Sequence, residues 1–373
     1  MHAPYLDNKE KMAWLRLIRS ENVGPVNFHH LLHRFKTAQH ALKRLPQMTL
    51  RAGRTQPLKI PSQDAIEQEY EKIQSQGIHL IAFPEDAYPE RLRALHDAPP
   101  LLMAWGDLSW LKKDMFSIVG ARNASALAHK VAFEFAQALG REAMVIVSGL
   151  AQGVDSAAHK GSLDTGTVAV LAQGIDHIYP PQNKELHRSI QDKGLLISES
   201  PLGTEAHATL FPRRNRLVSG LSWGVLVVEA LLQSGSLLTA HYATEQGRSV
   251  FAIPGHPHDP RAGGPNSLIA QGAKLTQTPQ DILEEYHHMK THAISHVQED
   301  AAAYDYVVSD HDVEAACHEL TGMISATAVS IETLAHTLGM PLPLMQAALT
   351  ELEIGGLITS DDRGHVYKKM HAA

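Results

Sequence analysis

The feature that most constrains this chain is a unit that repeats between Phe116 and Gly255: an apolar strand-like run, a small-residue turn, then a helix-like pattern. It occurs as Phe116–Gly140, Val145–Leu163, Thr167–Ile190 and Trp223–Arg248, and a further apolar run follows at Ser249–Gly255. Strands alternating with helices predict a doubly wound, Rossmann-like α/β core with a parallel sheet covered on both faces. Unbroken apolar runs such as Val225–Val228 suit strands buried on both sides. In such sheets ligands bind at the carboxyl ends of the strands. Those ends carry Gly120-Ala121-Arg122, Ser148-Gly149-Leu150, Gly174-Ile175-Asp176, Ser198-Glu199-Ser200 and Ser234-Gly235-Ser236.

The rest of the chain reads as flanking pieces. Residues 1–60 predict a small helical domain, in which a Val23-Gly24-Pro25 turn separates two helices as in SAM-like or helix-hairpin-helix modules. Turn amides and cations of such hairpins meet nucleic-acid phosphates, and Arg34, Lys36, Lys43, Arg44, Arg51 and Arg54 are the cations on offer. The other reading of that basic surplus is a solvated face. Residues 61–100 are expected to connect, 101–290 to form the core, 291–309 to be a polar linker and 310–373 to be a winged helix. Within the last segment, helices beginning at Ser330 and Leu342 precede a hairpin from Gly355 to Tyr367. A winged helix that reads DNA has a basic second helix. This one has Glu351 and Glu353 and no Lys or Arg between Ser330 and Asp362, which predicts packing or protein contact instead.

Charge is distributed unevenly. The formal net charge of -7 does not by itself indicate a nucleic-acid binder, but residues 1–60 hold 11 Lys and Arg against 3 Asp and Glu, whereas residues 291–373 hold 3 against 12. The lone cysteine, Cys317, excludes an internal disulfide and fits a reducing compartment. No signal-like core opens the chain and no run reaches the about 18 apolar residues of a membrane span. A cytoplasmic protein without membrane association is expected.

The candidate site follows from the turns. Gly120 to Ser125 has one glycine where the dinucleotide fingerprint has three, and Ser148-Gly149 stands where an acid would hold a ribose, so NAD is not expected. What remains is a helix N-terminus with Arg122 at its mouth, suited to phosphate unless Arg122 pairs with a carboxylate such as Asp155. Ser148 and Gly149 open a second anion loop, with Asp155 expected as a helix N-cap and His159 as a packed residue. Tyr179 is placed to stack a base and Lys184 to meet a phosphate. Phe211-Pro212-Arg213-Arg214-Asn215-Arg216 sets three arginines in four residues, costly to bury without acids. Arg213 or Arg214 is expected to face ligand, Arg216 to be structural, and Glu199 or Glu229 to be an internal partner. Asn215 and the Ser234-Gly235 turn complete the edge, and Gly263 to Ile269 reads as a Gly/Pro-rich loop.

Taken together, Ile118–Arg122, Ser148–His159, Gly174–Leu186, Ser198–Pro201, Phe211–Ser222, Val228–Ala240 and Glu245–Gly255 resemble the DNA-processing protein A family (DprA, also called Smf). The resemblance implies a homodimer that binds single-stranded DNA without strong sequence preference and loads the recombinase RecA onto incoming strands during natural transformation. It implies no catalysis, cofactor or metal. The contacts carried over are Arg122, Lys184 and the Phe211–Arg216 segment. The Gly120-Ala121-Arg122 turn departs from members that have serine at the middle position, and the acidic winged helix departs from a DNA reader. The alternative is a phosphoribohydrolase-type enzyme with Glu199 or Glu229 as the acid, although the Pro-Gly-Gly-x-Gly-Thr loop of those enzymes is missing.

Overall fold

The computed structural model describes residues 6–295, 309–361 and 364–369. The described residues divide into two compact units: 71–295, and a second made of 6–70 with 309–361 and 364–369.

The first unit is built on a nine-stranded sheet. Its strands are β1 (His79–Ala82), β2 (Leu101–Gly106), β3 (Met115–Val119), β4 (Val145–Ser148), β5 (Thr167–Val170), β6 (Leu195–Ser198), β7 (Gly224–Val227), β8 (Ser249–Ala252) and β9 (Lys274–Leu275). They are ordered β1-β2-β6-β5-β4-β3-β7-β8-β9. From β6 to β9 all neighbours are parallel, while β1 and β2 are antiparallel additions at the β6 edge. Segment 61–100, expected as a connector, therefore supplies β1 to the main sheet. The chain winds outward from β3 through β4 and β5 to β6, then returns to place β7 on the other side of β3. That reversal is the switch point at which doubly wound sheets bind ligands.

The two faces of the sheet follow from the two-residue period of a strand. Val145, Val147, Val168, Val170, Val225 and Val227 pack into one core layer, while Phe116, Ile118, Ile146, Leu226 and Phe251 pack into the other. On the second face, helix Ala126–Arg141 buries Ala128, Ala132, Phe135, Ala136 and Leu139, one apolar stripe at helical spacing. Its N-cap is Ser125, whose hydroxyl accepts from the Ala128 amide at 3.0 Å.

Two expectations change here. Gly263–Ala270 is a helix, not a loop. Pro265 sits in its first turn, where a missing N–H costs nothing, and the Gly264 amide donates to the Ala230 carbonyl at 2.9 Å. The expected linker lies mostly outside the described residues, and its first part continues helix Pro279–Ser295.

The second unit joins the two ends of the chain. Helices Asn8–Ile18, Pro25–Phe35 and Ala38–Arg51 come from the front, with Gly24 capping and Pro25 opening the second. The tail contributes helices Asp310–Met323, Ile331–Leu338 and Leu342–Ile354 and a three-stranded sheet, a winged helix. Ala52 packs into the winged-helix core beside Val313, Leu349 and Leu352. Ser330 caps its helix by accepting from the Thr333 amide at 3.1 Å. Helix Leu342–Ile354, the one a DNA reader would present to a groove, is applied to the front helices: His30 Nδ1 is 2.9 Å from the Thr350 hydroxyl, and Arg34 bonds Glu351 at 2.8 Å. Arg54, by contrast, is taken up by Glu21 at 2.8 Å.

Candidate nucleic-acid interface

Two clefts adjoin along the carboxyl ends of β5, β4, β3 and β7. One, of about 310 Å³, is lined by Leu150, Gln173, Tyr179, Pro181 and Gln182. The other, of about 870 Å³, lies at the switch point and is lined by Gly120, Asn123, Asn215, Ser234, Gly235 and Arg261. Arg122, Gly149, Ala151, Phe211 and Arg214 line both. The Arg122 guanidinium stands 4.8 Å from the Phe211 ring centroid, and the Tyr179 ring lies 5.8 Å beyond Phe211 at 44°. A cation and two aromatic rings thus form a ridge along the trough.

The turns are bound tightly to one another. Gly153 has φ +80°, and a Cβ there would strike the Ala121 and Arg122 carbonyls. Only glycine lets the loop after β4 press against the loop after β3. Asn183 donates to the Leu150 carbonyl at 2.9 Å and the Ala151 carbonyl at 3.1 Å, fixing the Tyr179–Lys184 turn beside them. At the switch point, Asn215 Nδ2 donates to the Gly235 carbonyl at 3.2 Å.

Several anion-binding positions are filled from within. Asp155 is not an N-cap. Gly153 precedes helix Val154–Ser162 without a side-chain cap, and Asp155, one residue inside, accepts from the Gly149 and Ala151 amides at 3.1 and 3.3 Å. Glu229 accepts from the Ser125 amide at 2.9 Å and its hydroxyl at 2.6 Å, which covers the N-terminus of helix Ala126–Arg141. One loop and one helix N-cap expected to hold phosphate therefore already hold carboxylates.

Arg214 answers the first of these. Its guanidinium is buried in helix Leu210–Gly220 and donates from Nη1 to the Gly149 and Val170 carbonyls, both at 2.5 Å. It passes so close to Gly149 that any side chain there would displace it. Burial pushes the Asp155 carboxyl up while Arg214 opposes the shift. Burial also lowers the Arg214 guanidinium to about 10, so it is charged at neutral pH. Arg214 holds the floor of the trough, with Nη1 on main chain and Nε donating to the Asn215 Oδ1 at 3.2 Å, so of the two arginines expected to face ligand Arg213 is the exposed one. Ser148 departs from expectation too: it is buried, and its hydroxyl donates to the Ile118 carbonyl at 2.6 Å. The Ser234 hydroxyl is likewise engaged as a helix N-cap.

Arg216 is structural, as expected. It bonds Glu199 at 2.5 Å and Asp97 at 3.2 Å and donates to the Asp97 carbonyl at 2.8 Å. His159 is packed, its Nδ1 2.7 Å from the Thr167 hydroxyl. Both candidate acids, Glu199 and Glu229, are thus occupied. Three cations differ from all these: Arg122, Lys184 and Arg213 are exposed and make no ion pair among the described residues. Phe211 is expected only as part of the Phe211–Arg216 segment, without a role of its own; its ring under Arg122 is the added contribution. Its signal was its place directly before Pro212-Arg213-Arg214, an aromatic at the head of a basic segment.

Comparison with known proteins agrees with this architecture. The family model described as DNA recombination-mediator protein A matches residues 79–287. This chain belongs to the DNA-processing protein A family. Models of the DprA-like N-terminal HHH domain and the DprA winged helix domain match residues 8–71 and 309–362. Protein Smf of Escherichia coli is 38% identical over 77% of each chain. DNA processing protein DprA of Bacillus subtilis is 43% identical over 59% of this chain and 77% of its own. The X-ray structure of DprA from Streptococcus pneumoniae superposes with a TM-score of 0.62 at 33% identity, covering 76% of this chain and 99% of that one. A structure of DprA from Helicobacter pylori, described for its single-stranded DNA binding mode, superposes with a TM-score of 0.53 at 28% identity, covering 57% of this chain and 96% of that one. Among the described residues no helix is long and apolar enough to cross a membrane.

Proposed function

We propose that this protein binds single-stranded DNA along the carboxyl edge of its sheet, with little regard to sequence, and passes the strand to the recombinase RecA during natural transformation, acting as a homodimer in the cytoplasm. The observations that carry the reading are the exposed cations Arg122, Lys184 and Arg213, which make no ion pair among the described residues, and the Phe211 and Tyr179 rings beside Arg122. Cations along a groove track phosphates, and rings accept any base on their faces, which gives affinity without sequence preference. Gly120, Gly149, Asn215, Ser234 and Gly235 shape the trough, with Arg214 and Ser148 bracing it from below. The Helicobacter pylori relative, described for binding single-stranded DNA, supports the same ligand class.

Fluorescence anisotropy with labelled oligo-dT, a mixed-sequence single strand and a duplex of equal length tests the binding. The proposal expects the two single strands to bind alike and the duplex more weakly; equal binding of the duplex overturns it. RecA loading is tested by strand exchange on DNA precoated with single-strand-binding protein, where the chain should relieve the block.

A further inference from the structure

The basic front and the acidic tail meet at one place. Arg34 spreads its fork over two acids, Nη1 on Glu351 at 2.8 Å and Nη2 on Asp310 at 2.7 Å. Arg51 lies 3.7 Å from Glu351 and 3.6 Å from Asp310, and Arg44 lies 3.9 Å from Asp310. Three guanidinium groups from two front helices thus converge on two carboxylates from two tail helices. Two acid oxygens spread over a guanidinium fork make the contact that phosphate oxygens make.

We propose that Arg34, Arg44 and Arg51 form a second polyanion site, separate from the sheet-edge trough, which the winged helix keeps closed with Asp310 and Glu351. Only the Arg34 bonds have hydrogen-bond length, and the Arg51 Nε and the second Glu351 oxygen are buried without a hydrogen-bond partner among the described residues. Glu351 itself is fully buried. A partly buried ion cluster with unsatisfied members contributes little net stability, because desolvation of Glu351 offsets its attraction and the exposed pairs contribute little. Three arginines against two acids leave a formal positive charge at the junction, so an incoming polyanion gains charge pairing that the tail does not supply. The winged helix then serves as an internal competitor for phosphate, which accounts for the acids on the helix that would otherwise read DNA. This inference does not depend on the sheet-edge site.

The test uses the full chain in an Arg122→Ala/Lys184→Ala/Arg213→Ala background, so that trough binding does not mask the result. Adding Asp310→Asn and Glu351→Gln, which introduce no positive charge, should tighten oligo-dT binding about tenfold at low salt and steepen the log K against log salt slope by about 2, the value for three single-strand phosphate contacts. Adding Arg34→Ala, Arg44→Ala and Arg51→Ala should abolish the gain. An unchanged affinity in a folded variant, or a gain that survives loss of the three arginines, overturns the proposal. If the neutralised variant does not fold, hydrogen exchange of the unaltered chain decides. Excess oligo-dT at low salt should speed exchange in helix Leu342–Ile354, and unaltered exchange there overturns the proposal. If the unaltered chain fails to bind oligo-dT while the neutralised variant binds, the trough reading fails and this one stands.

Discussion

The Arg122 guanidinium lies 4.8 Å from the centre of the Phe211 ring. The ring holds the cation over the trough without neutralising it, so the charge stays available to an incoming phosphate. The two residues should fail differently when changed. Phe211→Ala should weaken oligo-dT binding by about 1–3 kcal/mol, the cost of a lost base stack, with the salt dependence unaltered. Arg122→Ala should also make the salt slope shallower by about 0.7, the value of one single-strand phosphate contact. Anisotropy over a salt series separates the two.

Arg216 differs from Arg122 in having two carboxylates, Glu199 and Asp97, around a nearly buried guanidinium. Arg216→Ala leaves those acids without a counter-charge and should lower unfolding free energy by about 3 kcal/mol. Urea denaturation followed by circular dichroism checks this. Arg213→Ala, at an exposed position three residues earlier, should leave the midpoint within about 0.5 kcal/mol of the parent.

The sequence makes the α/β alternation legible because each strand-turn-helix unit carries its own period, and the family motifs fall on the turns. It sets Arg216 apart but does not show which of Arg213 and Arg214 faces out. Arg214 and Arg216 are fixed by the Gly149 and Val170 carbonyls and by Asp97 and Glu199, all distant in sequence. The same limit applies to the helix N-termini. Free amides at a turn or helix start invite an anion, but Asp155 takes those of the loop after β4 and Glu229 those of Ser125, through contacts that only the folded sheet creates. The charge asymmetry between front and tail was visible, but its meaning as Arg34 on Glu351 and Asp310 required the two ends to be brought into one unit.

Acid should destabilise the core through His159. Burial lowers this imidazole to about 3 in the native state, whereas the unfolded chain takes up the proton near 6.5. Between those values the unfolded state binds a proton that the native state does not, so stability falls as pH falls, by about 1.4 kcal/mol per pH unit. Asp155, raised by burial, acts with the opposite sign and is common to both proteins compared. Urea midpoints between pH 6.5 and 4 should therefore fall less steeply for His159→Asn than for the parent.

Gly153→Ala should damage the trough without touching a charge. Its φ of +80° and the nearby Ala121 and Arg122 carbonyls leave no room for a methyl group. Strain of about 1–3 kcal/mol is expected. The melting temperature and oligo-dT affinity should fall together, because the same turn positions Arg122.

The central claim is that exposed cations at the carboxyl edge of the sheet hold a single strand by its phosphates. The direct measurement is the salt dependence of oligo-dT binding for the parent and for Arg122→Ala/Lys184→Ala/Arg213→Ala. Loss of three phosphate contacts should flatten the log K against log salt slope by about 2 and weaken binding at low salt. An unchanged slope and affinity in a folded triple variant would contradict the account.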